Sequence, residues 1–205
     1  GKYFVAAYSN VTTPTRVGIF PTSGGVVSKG HNGLIAEANL ATASQAYKPR
    51  VVADMQGPDY DESKYALGQL VHMKTSDGFT LPAMIVYPKD FNETKKYPVH
   101  VDIYGGPDTP LVRDRWVTPT AANQWYSENG IIQITVDPRA GGHNGREGLD
   151  MIYRQLTVNE VKDFYEWADW LQSMPFVIDD KIGVEGFSFG GTMTCMLLMQ
   201  APDKF

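Results

Sequence analysis

Near its C-terminal end the chain reads Gly186-Phe187-Ser188-Phe189-Gly190-Gly191. The apolar run Ile182-Gly183-Val184 leads into it, and a segment of helical pattern follows through Thr192, Met193, Cys195 and Met196 to Gln200. A strand that turns at once into a helix crowds the residues two before and two after the bend, so glycine at 186 and 190 answers a steric demand. Such a bend holds the Ser188 hydroxyl out at the C-terminal edge of a sheet. There, a helix N-terminus and backbone N–H groups can stabilise a developing oxyanion. The bare spacing G-x-S-x-G arises by chance about 0.08 times per chain of this Gly and Ser content; the strand before it and the helix after it give it weight. The competing reading is a Gly-rich turn whose serine only caps the helix.

The rest of the chain supplies a setting for this bend. Tyr3 to Tyr8 and Arg16 to Phe20 read as short strands cut by turns at Asn10 to Pro14 and at Ser23-Gly24-Gly25. So few strands cannot cover their own apolar faces, so residues 1–48 are expected to be the tail of a larger β unit such as a propeller blade. Residues 49–66, punctuated by Gly57-Pro58-Asp59, read as a connector. From 67 to 205 the grammar changes. Leu70 to Lys74 and Thr80 to Tyr87 flank Asp77-Gly78 and predict an antiparallel hairpin. Tyr97 to Tyr104, Ile131 to Val136 and Ile182 to Glu185 read as interior strands. Helices are predicted over roughly Pro119 to Glu128, after Ser188, and after a capping box at Thr157-Val158-Asn159-Glu160, where Val161, Phe164, Tyr165, Ala168 and Leu171 share one face. Strands alternating with helices imply an α/β fold with parallel crossovers.

Other residues that could take part in chemistry fall into two groups. Tyr104-Gly105-Gly106-Pro107 closes the Tyr97 to Tyr104 strand, where an acyl-transfer site needs a second oxyanion donor; the Tyr104 hydroxyl could serve, or Tyr104 could simply be a buried strand-end residue. The triad order serine, acid, histidine is not completed in the 17 residues after Ser188: Asp203 is the only acid there, expected as a solvated helix-end residue, and no histidine follows. All four histidines lie upstream. His100 reads as core, His72 as hairpin and His31 as part of the β tail, while His143 in Ala140-Gly141-Gly142-His143-Asn144-Gly145 reads as loop chemistry ahead of a general base. Trp167, Trp170, Met193, Met196 and Met199 read as packing residues.

Composition narrows the field. Forty-two per cent hydrophobic residues can bury a core, and a net charge of −5 supplies no field for a phosphate backbone, so nucleic acid is not an expected partner. The single cysteine, Cys195, closes no internal disulfide, and the scattered histidines show no zinc spacing. No phosphate loop or dinucleotide fingerprint is complete, and no metal or organic cofactor is expected. Neither a run of about 18 apolar residues nor a secretion signal is present, and the absence of an initiator Met suggests an internal piece of a longer protein.

With Ser188 and Tyr104 in hand, the chain resembles the prolyl oligopeptidase family, and within it the dipeptidyl peptidase IV group, especially its bacterial members. The likeness runs from about Leu70 through Lys95-Lys96-Tyr97-Pro98-Val99, Tyr104-Gly105-Gly106-Pro107, Asp137-Pro138-Arg139, the helix from Thr157, and Asp180 to Gly191. It implies part of an α/β-hydrolase domain preceded by the end of a β-propeller domain. It implies Ser188 as nucleophile, with the Tyr104 hydroxyl and the Phe189 backbone N–H as oxyanion donors. Tyr104 and Phe189 would also meet the substrate, the Phe189 side chain as pocket wall. The acid and histidine of the triad would then lie beyond residue 205. The expected activity is release of N-terminal dipeptides after proline or alanine, with peptides as partners, a homodimeric parent and an extracytoplasmic home. An esterase or acyl-peptide hydrolase, or a non-catalytic binding homologue, is the alternative. Three residues depart from the family pattern: Ala140 where glycine is usual after Asp-x-Arg, Thr192 where an aromatic is common, and Trp167 in place of a small residue.

Overall fold

A computed structural model describes residues 2–21 and 50–205, in two compact units. His31, the Ser23-Gly24-Gly25 turn and the expected boundary at 48 lie outside the described residues. The first unit comprises residues up to 60 together with Arg115–Val117. Its sheet has the order β1 (Tyr3–Asn10), β2 (Thr13–Pro21), β3 (Arg50–Asp54), and both pairings are antiparallel. Phe4 stacks on Phe20 across β1 and β2 at 5.0 Å, and Arg16 Nε donates to Asp54 at 2.9 Å across β2 and β3. The turn between β1 and β2 is shorter than the sequence suggests, and Arg50–Asp54, read as connector, is a strand. Val51 and Val52 give that segment β propensity, which its polar flanks conceal.

The second unit, residues 61–114 and 118–205, is built on a mixed sheet. Its strand order is β4 (Gly68–Lys74), β5 (Thr80–Val86), β7 (Ile132–Val136), β6 (Tyr97–Ile103), β8 (Val177–Gly186). The β4–β5 hairpin forms as expected, with Gly78 at φ 102° in the turn. β5 runs antiparallel to β7, while β6 is parallel to both β7 and β8. Helices α1 (Ala121–Glu128), α2 (Gly145–Asp150), α3 (Asn159–Gln172) and α4 (Phe189–Gln200) lie between and after these strands.

Alternation along β6 decides which face is core. Val99, Val101 and Ile103 point one way and are buried with Ile132, Ile134 and Val136 of β7. Against them pack Val161, Phe164, Trp167 and Leu171 of α3 and Met193 and Leu197 of α4, each such side chain worth roughly 1.5–3 kcal/mol when fully buried. His100 points to the other face, stacked on Tyr126 at 4.5 Å with Glu185 3.1 Å away, so it is not the core residue its apolar neighbours suggested. Met199 is likewise misread: the buried stripe of α4 runs through Gly190, Met193 and Leu197 at helical spacing, which leaves Met199 71% exposed.

The capping box at Thr157 does not form. Thr157 sits at φ 70°, Val158 is the N-cap without a side-chain bond, and Glu160 is turned into the interior. A working capping box exists instead at Thr120, whose side chain accepts from Asn123 N–H while the Asn123 side chain accepts from Thr120 N–H.

Candidate active site at the C-terminal edge of the sheet

β8 ends at Gly186 and α4 begins at Phe189, so only Phe187 and Ser188 make the turn. A Cβ on Gly186 would lie 2.6 Å from the Gly190 carbonyl group and 2.6 Å from the Ile103 oxygen; one on Gly190 would drive into that same Ile103 oxygen. Neither gap can open without parting β8 and α4 from β6. The bend that results holds Ser188 at φ 57°, ψ −116°, a conformation that L-residues rarely adopt and that surrounding packing must enforce.

The same geometry counts against the capping reading of Ser188. Although it occupies the N-cap position of α4, its side chain makes no capping hydrogen bond, and the residue is exposed. A capping serine would instead have accepted from one of the next backbone N–H groups. Phe187, beside it, is 87% exposed. Phe189 is the first residue of α4, where a backbone N–H has no acceptor within the helix. Its ring turns inward and meets the edge of the Tyr104 ring at 6.3 Å and 61°. Tyr104, one residue past the end of β6 and half-buried, therefore stands beside the elbow rather than elsewhere on the sheet edge. Ser188, Phe189 and Tyr104 form one cluster.

His143 and Asp203 are not brought to it by any hydrogen bond among the described residues. His143 Nε2 lies 3.1 Å from the buried carboxylate of Asp137, and Asp203 is exposed just past α4. Nor do the described residues contain a group of three or more His, Cys, Asp or Glu side chains able to hold a metal ion, or a helix long and apolar enough to cross a membrane.

The sequence reading missed a buried ionic assembly at the turn after β7. Arg139, fully buried, engages Asp163 of α3 through Nε and Nη2 at 2.6–3.1 Å, and its backbone N–H donates to the same carboxylate at 2.8 Å. Its other side reaches Asp77 in the β4–β5 turn at 2.9 and 3.2 Å and lies over the Phe79 ring at 4.4 Å. Lys162 also donates to Asp77, at 2.8 Å. Burial works against the guanidinium charge, but the hydrogen bonds and charges of Asp163 and Asp77 outweigh it and hold Arg139 protonated. Hydrogen bonds from Arg139 and then Lys162 hold the Asp77 carboxyl well below the usual range. The only signal in the sequence was the Asp137-Pro138-Arg139 run itself, whose partners lie 62 and 24 residues away. Ala140 fits without disturbance: it is buried, and its carbonyl accepts from Asp108 N–H at 2.8 Å.

Comparison with known proteins follows the same lines. Residues 117–205, which hold the elbow, match the model of the prolyl oligopeptidase family. Over those residues the chain is similar to the prolyl oligopeptidase family. The probable dipeptidyl-aminopeptidase B of Arthroderma otae is 39% identical over 128 residues, 62% of this chain and 14% of that protein. Dipeptidyl peptidase 8 of Mus musculus is 30% identical over 206 residues, 99% of this chain and 21% of that protein. The crystal structure of Porphyromonas gingivalis dipeptidyl peptidase 4 superposes with a TM-score of 0.75 at 27% identity, covering 100% of this chain and 26% of that one. The chain spans about a seventh to a quarter of the full length of these relatives. The mixed sheet and its helices are those of an α/β-hydrolase domain.

Proposed function

We propose that the protein carrying this chain is a serine peptidase that releases dipeptides from peptide N-termini, with proline or alanine preferred before the scissile bond. The observation that carries the reading is Ser188: exposed, without a capping bond, and held in a strained turn with Tyr104 and the first N–H of α4 alongside. In this reading a histidine takes the Ser188 proton as the hydroxyl attacks the scissile carbonyl. The Tyr104 hydroxyl and the Phe189 N–H donate to the tetrahedral oxyanion, the amine leaves with a proton, and water releases the acyl group. The Phe189 ring walls the pocket for the substrate side chain. The general base and its orienting acid come from outside residues 1–205, so the 205-residue chain alone is expected to hydrolyse a Gly-Pro chromogenic substrate at a negligible rate. The first unit belongs to a β-propeller domain, and the parent protein is an extracytoplasmic homodimer. Cell fractionation and the solution mass of the full-length protein test these last two points.

The decisive experiment is labelling of the full-length protein with a fluorophosphonate, followed by Ser188→Ala. Labelling at Ser188 and a fall in turnover of about 10⁶-fold are expected. An unlabelled Ser188 in the folded full-length protein points to a binding homologue without catalysis. Faster turnover of short-chain esters than of proline-containing dipeptide amides points to an esterase.

A further inference from the structure

Packing fixes Ser188 and Phe189, but Tyr104 stands at the head of a loop, residues 104–112, that contains neither helix nor strand. The group that fixes this loop comes from the next strand. Val136 of β7 pairs with Ile103 of β6, so Asp137 emerges from the sheet level with Tyr104. The Asp137 carboxylate is 0% exposed. One oxygen accepts from Leu111 N–H at 3.0 Å and the other from Val112 N–H at 2.8 Å. His143 Nε2 lies 3.1 Å from the second oxygen, with its ring about one-third exposed. A second tie joins the same two loops, from Asp108 N–H to the Ala140 carbonyl at 2.8 Å, with Asp108 held at φ 49°. At the near end of the loop, the Tyr104 ring lies so close over Gly106 that a Cβ there would collide with the ring carbons. Loop backbone and phenol ring therefore move together.

We propose that Asp137, steadied by His143, is a positioning residue for catalysis: it anchors the 104–112 loop and so sets where the Tyr104 hydroxyl meets the oxyanion. This rests on the reading of Tyr104 as an oxyanion donor. The physical reason is that a carboxylate offers an acceptor on each oxygen. An asparagine offers only one, and its NH2 group faces one of the two loop N–H groups, donor against donor. Oxyanion hydrogen bonds weaken steeply outside 2.7–3.1 Å, so a small displacement of the loop acts on the transition state and little on ground-state binding.

The test is a double-mutant cycle in the full-length enzyme, with Gly-Pro p-nitroanilide as substrate and thermal unfolding as a check on folding. Tyr104→Phe is expected to lower kcat by about 10²-fold or more. Asp137→Asn is expected to lower kcat by about 10-fold or more with KM within about twofold, and to cost nothing further in the Tyr104→Phe background. His143→Ala gives the same pattern at smaller size, and that cycle decides the matter if Asp137→Asn does not fold. Equal losses in both backgrounds, or an unchanged kcat for folded Asp137→Asn, overturn the anchoring role and leave the oxyanion reading standing. An unchanged kcat for Tyr104→Phe overturns the oxyanion reading, and the anchoring role with it.

Discussion

Two turns leave the same edge of the five-stranded sheet, one after β8 and one after β7, and they are held by opposite means. The elbow after β8 is held by shape. Gly186 and Gly190 sit against the Ile103 carbonyl, and the Ser188 side chain lends no capping hydrogen bond to the turn that strains it. The turn after β7 is held by charge and hydrogen bonds, with Arg139 gripping Asp163 and Asp77 while Asp137 accepts from Leu111 and Val112. A turn built by close packing leaves its side chains unemployed and so available for chemistry. A turn built by polar contacts spends its side chains on its own architecture.

The largest test of that contrast is Arg139→Met in the full-length protein. Removing one member of a buried ionic assembly leaves Asp163 uncompensated, and a loss of about 3–5 kcal/mol is expected by chemical denaturation. Unchanged stability would mean that shape, not charge, holds the β7 turn as well. Next comes Gly190→Ala, which adds one methyl group against backbone: a loss of up to about 3 kcal/mol is expected, together with loss of fluorophosphonate labelling at Ser188. Normal labelling in that variant would show that the elbow is not sterically set.

Two smaller effects sharpen the polar side of the comparison. Glu160 is fully buried, its carboxyl oxygens lack a well-aligned hydrogen-bond partner, and burial pushes its pKa up against the weaker pull of the Glu160 and Thr157 backbone N–H groups. A carboxyl raised in the folded state costs stability as pH climbs above its unfolded value of about 4.3. Glu160→Gln is therefore expected to gain about 1 kcal/mol at pH 8 and nothing near pH 4, read as a pH-dependent difference in Tm. An advantage independent of pH would assign the effect to packing. Asp77 has the opposite sign. Its lowered pKa contributes stability that is present above about pH 3.9 and lost as pH falls further. With 36% of its side chain exposed, solvent screening keeps the loss in Asp77→Asn below about 1 kcal/mol at neutral pH, and that loss should narrow on acidification.

The contrast also explains what could be read from the chain beforehand. Steric demands are local, so the elbow was legible: Gly186, Ser188 and Gly190 lie within five consecutive residues, and the strand and helix around them follow from apolar spacing. The hairpin at Asp77-Gly78 and the buried face of α3 were legible for the same reason. The polar assembly was not, because Arg139 gives no sign in sequence that its partners are Asp77 and Asp163, nor Asp137 that its donors are Leu111 and Val112. Short-range pattern also misled at Thr157, where a capping-box sequence turned its Glu160 inward instead. At Arg50–Asp54 polar neighbours concealed a strand whose partner, β2, is 29 or more residues earlier. The roles proposed for Tyr104 and Phe189 rest on family likeness, and the structure adds that the two rings meet.

The order of the strands has a bearing on how the molecule is made. β8 closes on β6 some 80 residues after β6 has been synthesised, and the elbow fits only where Gly186 lies level with Ile103. A slip of one residue would send the outward-facing side chains of β8 inward and leave no notch for the bend. In the proposed reading, nucleophilic competence thus ripens late, as a report that the centre of the sheet has been assembled in register. A half-finished chain carries a serine like any other.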